Sequence, residues 1–375
     1  MNTRMLAVCI LSIAAVLLLT GCSDRTDLED ATIPLALGLD LDENNKFHVY
    51  ITSPEFSKSV KKKHHEISEP ADTLRQSRIG QDAHSAGAFQ GRKYQVVLLG
   101  QRLLQQENWF RMLDVLFRDS KNTVTDRVIA INGSISKLIE LNPPDEPYLP
   151  LLLKGMIDTK SARSETVKTT VQELHRQIFE TGITPSIAEV KLAENNDIRL
   201  NGTMLLDHKG KYATTLNAQE TVLLKLLQKE ARKSSSLSFT VPGIPKTGPF
   251  QTNMISLSTE GARTKIKTSY GDDKFQFQFT VHIPAVLSEK VFPYNLRKNG
   301  NQLDTIIAKQ AQLQFENLIK KIQQHKIDPI GLGLYARAYH YKQFAQVEDH
   351  WGEALAKADI HVSVNVTFKA MGPVK

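Results

Sequence analysis

Cysteine is nearly absent from this chain of 375 residues, which has only Cys9 and Cys22. No cysteine follows Cys22, and this excludes a disulfide framework, a thiolate metal site and a cysteine nucleophile from the rest of the sequence. Glycine and proline are few, at 20 and 15 residues, while hydrophobic residues make up 41% and charged residues 23%. This composition excludes collagen, a disordered polyampholyte and a polytopic membrane protein. The length allows two or three globular domains.

The N-terminal segment has the pattern of a secretory signal. Arg4 precedes an apolar run over residues 5–19, which is shorter than the ~20 residues of a membrane-spanning helix. The run ends in Leu-Thr-Gly-Cys at 19–22, which resembles the lipobox of bacterial lipoproteins. We predict that residues 1–21 are removed and that Cys22 carries a diacylglyceryl thioether and an N-acyl chain such as palmitate. The alternative is a chance cysteine beside an uncleaved anchor.

Positive charge is modest and scattered. The formal net charge of +7 falls to +6 (7 − 1) without Arg4. This charge favours weak attraction to an anionic bilayer and argues against a nucleic acid partner. The densest basic run, residues 61–65, is interpreted as a mobile solvated loop, with a lipid-headgroup or partner contact as the alternative. We do not expect its paired histidines, His64 and His65, to bind metal.

Hydrophobic periodicity predicts alternating strands and helices in the first half of the chain. A β-hairpin is expected at the start, a helix over about 165–180, and a helix with an N-terminal capping box at Asn217 and Glu220. The predicted strands of this half are 35–41, 47–51, 92–99, 126–132, 187–192, 198–206 and 212–216.

The second half contains longer stretches of regular hydrophobic periodicity. Residues 275–283 and 360–368 alternate between apolar and polar, and residues 303–322 carry the buried stripe of a helix of about six turns. The predicted fold class is α+β and multi-domain, with a mixed α/β N-terminal half and an antiparallel sheet packed with a long helix in the C-terminal half. We predict domains over 22–196 and 197–375, which could divide further into three subdomains.

Catalytic motifs are missing. Gly243 and Gly248 have the spacing of a phosphate-binding loop, but Pro249 and Phe250 stand where Lys and Ser or Thr are required, so the segment is interpreted as a linker. Asp272 and Asp273 are expected in a hairpin turn, and His361 on the polar face of a strand. We therefore predict no catalytic, cofactor-binding or metal-binding residues.

A family resemblance rests on short segments that occur in order along nearly the whole mature chain. The sequence GCSDRTDLED at 21–30 leads into PLALGLD at 34–40 and resembles the start of the C subunits of spore nutrient germinant receptors, the Ger(x)C (GerAC/GerBC/GerKC-like) lipoproteins. One departure is Ser23, where the family commonly has Trp after the lipidated cysteine. The other matching segments are 97–100, 116–119, 201–203, 216–221, 328–333, Trp351 and 362–372.

The resemblance implies a non-enzymatic receptor subunit that senses nutrients together with A and B subunits and triggers germination. Its expected location is the outer face of the spore inner membrane, where a lipid on Cys22 holds it. Other germination proteins are further expected partners. No catalytic residue and no cofactor carry over from the family.

Two functions from other classes remain as alternatives. A solute-binding lipoprotein of an importer would also have a lipobox and two domains, although such folds alternate strands and helices throughout. A lipid-tethered cell-wall or protein-processing enzyme is the other alternative.

Overall fold

The computed structural model describes residues 27, 31–56, 59–85, 87–89, 93–141, 146–193, 197–231, 234–243, 252–294 and 296–370. The predicted signal segment with Cys9, the lipidation site Cys22 and most of the predicted linker at 243–248 lie outside the described residues.

Two main sheets and their helices make up the described fold. The strands are β1 Ala31–Thr32, β2 Ala36–Leu41, β3 Phe47–Pro54, β4 His64–Pro70, β5 Ala88–Phe89, β6 Val96–Gly100, β7 Arg127–Asn132, β8 Ser186–Leu192, β9 Ile198–Leu206, β10 Tyr212–Leu216, β11 Ser236–Thr240, β12 Met254–Thr259, β13 Arg263–Gly271, β14 Lys274–Lys290 and β15 Asp359–Ala370. The helices are α1 Ser77–Ala83, α2 Gln101–Leu104, α3 Asp114–Arg118, α4 Ile135–Glu140, α5 Leu149–Ser161, α6 Val171–Phe179, α7 Ala218–Leu227, α8 Leu296–Gln324, α9 Leu332–Tyr339, α10 Tyr341–Phe344 and α11 Trp351–Lys357, with 3-10 turns at Trp109–Leu113 and Glu348–His350.

The first sheet has eight strands in the order β10-β9-β8-β7-β6-β2-β3-β4. Its centre, from β2 through β6 and β7 to β8, is parallel, and its outer pairs are antiparallel. The uninterrupted apolar run of β6 follows from this position, because Val97 and Leu99 face one core while Val96 and Leu98 face another. The predicted hairpin of β2 and β3 is confirmed, with Leu41 opposite Phe47.

Strands β9 and β10 follow residue 196 in the chain but belong to the first sheet. Strand β8 pairs with β9 from Ser186 opposite Leu205 to Leu192 opposite Ile198. The domain boundary that we predict between residues 196 and 197 thus lies between the two strands of one hairpin.

The second sheet contains β11, β12, β14 and β13, with β15 on the other side of β14. Phe277, Phe279 and Val281 of β14 are buried under the long helix α8, whose residues Leu303, Ile307 and Phe315 complete the same core. This confirms the predicted α+β architecture. The sheet is antiparallel except for β15, which pairs in parallel with β14.

Of three local predictions from the sequence, the structure confirms two and contradicts part of the third. The capping box of α7 is present, since Asn217 and Glu220 each accept a hydrogen bond from the backbone N–H of the other. The predicted turn at Asp272 and Asp273 is also confirmed, because both residues have positive φ and connect β13 to β14. The interpretation of residues 61–65 as a loop is wrong for His64 and His65, which begin β4.

The helix predicted over 165–180 is shorter than expected. It begins only at Val171, because the side chain of Thr170 accepts a hydrogen bond from the Glu173 N–H and caps it there. The preceding residues are held in an extended segment by distant carbonyls: Thr166 donates to Gly202 O and Thr169 donates to Ser186 O. In addition, the structure has helix α5 at Leu149–Ser161, which the sequence did not predict.

Candidate functional site

The side chain of Asp328 lies fully buried where the two halves of the chain meet. Its Oδ1 accepts a 2.8 Å hydrogen bond from the Gly331 N–H, and its Oδ2 accepts from the Gly333 N–H at 2.7 Å and from the Trp351 indole N–H at 2.8 Å. Burial raises the pKa of Asp328, and the hydrogen bonds from the indole and the backbone oppose that rise. One carboxyl thus fixes the turn before α9 and the first residue of α11.

The backbone of Asp328 also bonds to the first half of the chain. The Thr184 N–H donates to Asp328 O at 2.9 Å, and the Asp328 N–H donates to Thr184 Oγ1 at 3.0 Å. Thr184 lies in the connection between α6 and β8 of the first sheet. We call Asp328, Thr184, Gly331, Gly333 and Trp351 the Asp328 cluster.

An ion pair lies beside this cluster and joins the same two segments. Arg337 of α9 donates to both carboxylate oxygens of Glu180, at 2.8 and 3.0 Å. Burial alone would raise the pKa of Glu180, but the bonds from Arg337 and from the Gly182 N–H lower it below its ordinary value. The two-point geometry fixes the orientation of α9 relative to the end of α6.

Two glycines let these segments approach each other closely. A Cβ atom on Gly333 would lie 2.6 Å from the Gly182 Cα and 2.8 Å from the Trp351 Nε1. No side chain can occupy that space without moving backbone, so the junction requires glycine at this position.

A polar groove of about 1030 Å³ lies next to the junction. It is bounded by the end of α5, the extended segment before α6, α6 itself and the end of α7. Gln228 connects the groove to the Asp328 cluster, because its Nε2 donates a 2.7 Å hydrogen bond to Pro329 O. Ser235 donates to Ser164 at 3.0 Å and forms a further bond between the two halves.

Ion pairs compensate most of the charge in the groove, and the remaining cation, Lys229, lies over the ring of Tyr335, 5.2 Å from its centroid. Ion pairs join Arg176 to Glu173, Lys225 to Glu230 and Lys168 to Asp158, at 2.7, 2.8 and 3.3 Å. Carboxylates held in this way are poorly placed to act as general acids or bases, since their charge is already compensated. The polar contacts in the groove are therefore suited to holding the surrounding helices together.

The residues that the sequence analysis singled out do not converge on one site. Cys22 lies outside the described residues, and His361 is exposed on β15, as predicted. Over the described ranges, no three His, Cys, Asp or Glu side chains are grouped so that they could hold a metal ion. The same residues include no helix that is both long and apolar enough to cross a bilayer.

The role of Asp328 was missed from the sequence, although a signal was present. The sequence Asp-Pro-Ile-Gly-Leu-Gly at 328–333 places glycines three and five residues after the aspartate. An Asp followed by such a turn often accepts hydrogen bonds from the backbone that follows it. The bond from Trp351 to Asp328 and the approach of Gly333 to Gly182 depend on tertiary contacts that local sequence does not encode.

Comparison with known protein families decides what kind of protein this is. The family model described as "Spore germination protein N-terminal domain" matches residues 24–192, and the one described as "Spore germination B3/ GerAC like, C-terminal" matches residues 201–372. The chain belongs to the GerAC-like family of spore germination proteins. The predicted resemblance is therefore confirmed, and the boundary between the two family domains lies within the β8–β9 hairpin region.

Individual relatives of this GerAC-like protein match over nearly their whole length. Spore germination protein B3 of Bacillus subtilis is 21% identical over 96% of both chains. Spore germination protein A3 of the same organism is 23% identical over 95% of both chains, and spore germination protein KC is 20% identical over 97% of this chain and 95% of its own. A crystal structure of the GerBC protein shares the fold, with a TM-score of 0.57 and 18% identity, covering 92% of this chain and 100% of that one.

Proposed function

We propose that this GerAC-like protein is the lipid-anchored, non-catalytic C subunit of a nutrient germinant receptor. The observation that carries the proposal is that the two family models match residues 24–192 and 201–372, which together cover nearly all of the predicted mature chain. A role in spore germination follows from family membership, and the receptor role is the specific form that we infer. The absence of catalytic motifs from the sequence supports a subunit that acts through binding.

The proposed anchor is Cys22, which lies two residues before the first family domain. The apolar run and lipobox-like sequence before it support removal of residues 1–21 and lipidation. Two or more acyl chains on one cysteine hold a protein stably on a membrane, where a single chain does not. We place the mature protein on the outer face of the spore inner membrane, with domains over about 22–196 and 197–375.

The proposed partners are the A and B subunits of the receptor, with other germination proteins as additional partners. In this role the junction between the two halves is the part of the chain suited to transmitting a displacement from a partner bound to one half into the other half. A displacement of the segment around Thr184 acts directly on Asp328, and through it on α9 and α11, because these elements share one buried carboxyl.

The decisive experiment combines a deletion with a Cys22→Ala variant in the spore-forming host. We expect the deletion to abolish or slow germination on at least one individual nutrient, measured as loss of optical density. Cys22→Ala should release the protein from the membrane fraction and slow the same response. Ser23→Ala is the matched control and should behave as the wild type. Normal membrane retention and normal germination of Cys22→Ala would contradict the proposed anchor.

The importer alternative can be tested separately. A solute-binding lipoprotein binds its ligand alone, so calorimetric titration of the purified protein with amino acids and sugars should give micromolar or tighter binding if that alternative is correct. We expect no such binding by the isolated subunit. Tight binding together with normal germination of the deletion strain would favour the importer function.

A further inference from the structure

One side of the second sheet is covered by the long helix α8, but the opposite side faces solvent. That side consists of the odd-numbered residues 263–269 of β13, the even-numbered residues 274–282 of β14 and the odd-numbered residues 359–369 of β15. All of these side chains are exposed except that of Gln276, which is half-buried. We call this surface the bare face.

The bare face carries an excess of positive charge. Its cations are Arg263, Lys265, Lys267, Lys274 and Lys369, and its one carboxylate is Asp359, which gives a net charge of +4 (5 − 1). Over the described ranges, none of the five cations forms an ion pair with a carboxylate. The face thus holds a large share of the chain's formal charge of +7.

Strand register arranges the polar groups of the bare face in rows. Arg263 lies opposite His282, which in turn lies opposite Asn365. The next row joins Lys265 to Thr280 and Ser363 in the same way, so cations at one edge continue into hydrogen-bonding groups across the sheet. Exposed side chains stand about perpendicular to a sheet, so these groups form one broad layer.

The composition of the bare face fits a lipid surface better than a protein surface. Stable protein interfaces are centred on buried aromatic or aliphatic side chains, and the bare face has none. Anionic headgroups, by contrast, attract clustered Lys and Arg side chains without any apolar contact. Hydroxyl and amide groups beside the cations can donate hydrogen bonds to phosphate oxygens.

We infer that the bare face docks on the anionic phospholipid headgroups of the membrane that carries the chain's lipid anchor. This inference rests on the proposed function for the anchor, which keeps the chain near that surface. The headgroup attraction would then orient the second sheet along the bilayer rather than retain the protein there. Since each cation contributes a small attraction that salt screens, docking should be reversible at high ionic strength.

The near absence of cysteine provides a direct test. The lipidated mature chain has no free thiol once Cys22 is acylated, so Ser363→Cys introduces a single reactive cysteine in the bare face. The protein is reconstituted in vesicles of phosphatidylcholine alone or of phosphatidylcholine with phosphatidylglycerol, and the rate of labelling by a water-soluble maleimide is measured. Asn317→Cys, exposed on the far side of α8, is the matched control.

We expect phosphatidylglycerol to slow labelling of Ser363→Cys by about fivefold or more, and high salt to restore the rate. Labelling of Asn317→Cys should not change. Adding Arg263→Gln, Lys265→Gln and Lys267→Gln to Ser363→Cys should abolish the protection, since the headgroups lose three of the five cations.

Equal labelling of Ser363→Cys in both kinds of vesicle, with the protein still bound to them in high salt, would overturn the docking and leave the anchor intact. Release from the vesicles in high salt would instead show that the anchor itself has failed. Protection by a purified receptor subunit but not by phosphatidylglycerol would assign the bare face to a protein partner and would also overturn the inference.

Discussion

The indole N–H of Trp351 and the carboxylate of Asp328 form a 2.8 Å hydrogen bond in which both partners are buried. The Trp351 ring also packs edge-on against Phe275 of β14, with ring centroids 5.2 Å apart. The same indole therefore touches the core of the second sheet and the carboxyl of Asp328, the residue whose backbone bonds to Thr184 in the first half of the chain. This contact explains why residues far apart in sequence, at 328–333 and 351, belong to one structural unit.

Replacement of this carboxyl should be severely destabilising. Asp328→Ala leaves three buried N–H donors without an acceptor, and we expect a loss of about 3–5 kcal/mol in the free energy of unfolding. Urea unfolding followed by tryptophan fluorescence measures the change. The exposed Asp349 provides the control, because Asp349→Ala should change stability by no more than about 0.5 kcal/mol. Similar stabilities for the two variants would show that the Asp328 cluster contributes little.

The Glu180–Arg337 pair should couple the halves more weakly. Its side chains are 21% and 41% exposed, so solvent screens the charges, and we expect a coupling energy of about 1 kcal/mol. A double-mutant cycle with Glu180→Gln and Arg337→Gln measures this energy at low and high salt. Because the pKa of Glu180 is lowered in the folded protein, its contribution is present above the ordinary Glu pKa and is lost as the pH falls through the folded value. Strictly additive effects at low salt would contradict the coupling.

Two glycines should respond to alanine in opposite directions. In Gly333→Ala the new methyl group meets the Gly182 backbone and the Trp351 ring, and we expect a loss of about 2 kcal/mol or more. Gly155 of α5 has no neighbouring atom within 4 Å of the same position, so Gly155→Ala should add about 0.5–1 kcal/mol through helix propensity. Thermal unfolding of the two variants measures both signs. A stabilising Gly333→Ala would disprove the close approach at the junction.

Asp126 should give the first half of the chain a distinctive pH dependence. Burial raises the pKa of this carboxyl to about 6, although a hydrogen bond from Thr123 and the charges of Lys154 and Arg127 oppose the rise. The folded state therefore binds a proton more tightly than the unfolded state. The contribution of Asp126 to stability should therefore be fully present below the ordinary Asp pKa, and about 3 kcal/mol of it should be lost as the pH rises through 6.

The test of this pH dependence is Asp126→Asn, which cannot titrate. Urea midpoints measured from pH 4 to pH 7 should show that its stability lacks the wild-type fall over this range. Asp72→Asn, at an exposed position, should retain the wild-type profile. Parallel profiles for the wild type and Asp126→Asn would mean that this carboxyl does not titrate differently on folding.

The parts of the fold that sequence predicted are those with long, regular periodicity. Strands β14 and β15 and helix α8 keep one face dry over many residues, and their existence could be inferred without knowing their neighbours. The parallel pairing of β15 with β14 could not, because an alternating pattern is the same for either direction. Helix α5 was not predicted: it follows the proline-rich sequence at 143–147, which indicates a break, and its own Pro150 lies in the first turn, where proline is well accommodated.

The functional features show the same difference between what the sequence predicts and what it does not. The lipobox-like sequence and the ordered family segments were visible in the chain itself, whereas the junction was not. Thr166 and Thr169 bond to carbonyls in β8 and β9, and Asp328 bonds to Thr184, so their roles depend on contacts between distant residues. Local sequence shows that such side chains are polar but does not show what they hold together.

The parallel position of β15 has a consequence for how the protein is made. Strand β14 obtains its second neighbour only from residues 359–370, which are synthesised after α8, α9 and α11. Until this last segment is available, the β14 edge is an open template for another extended segment. The second sheet therefore cannot be completed before β15 arrives, and a chain truncated within α11 would leave that edge unpaired.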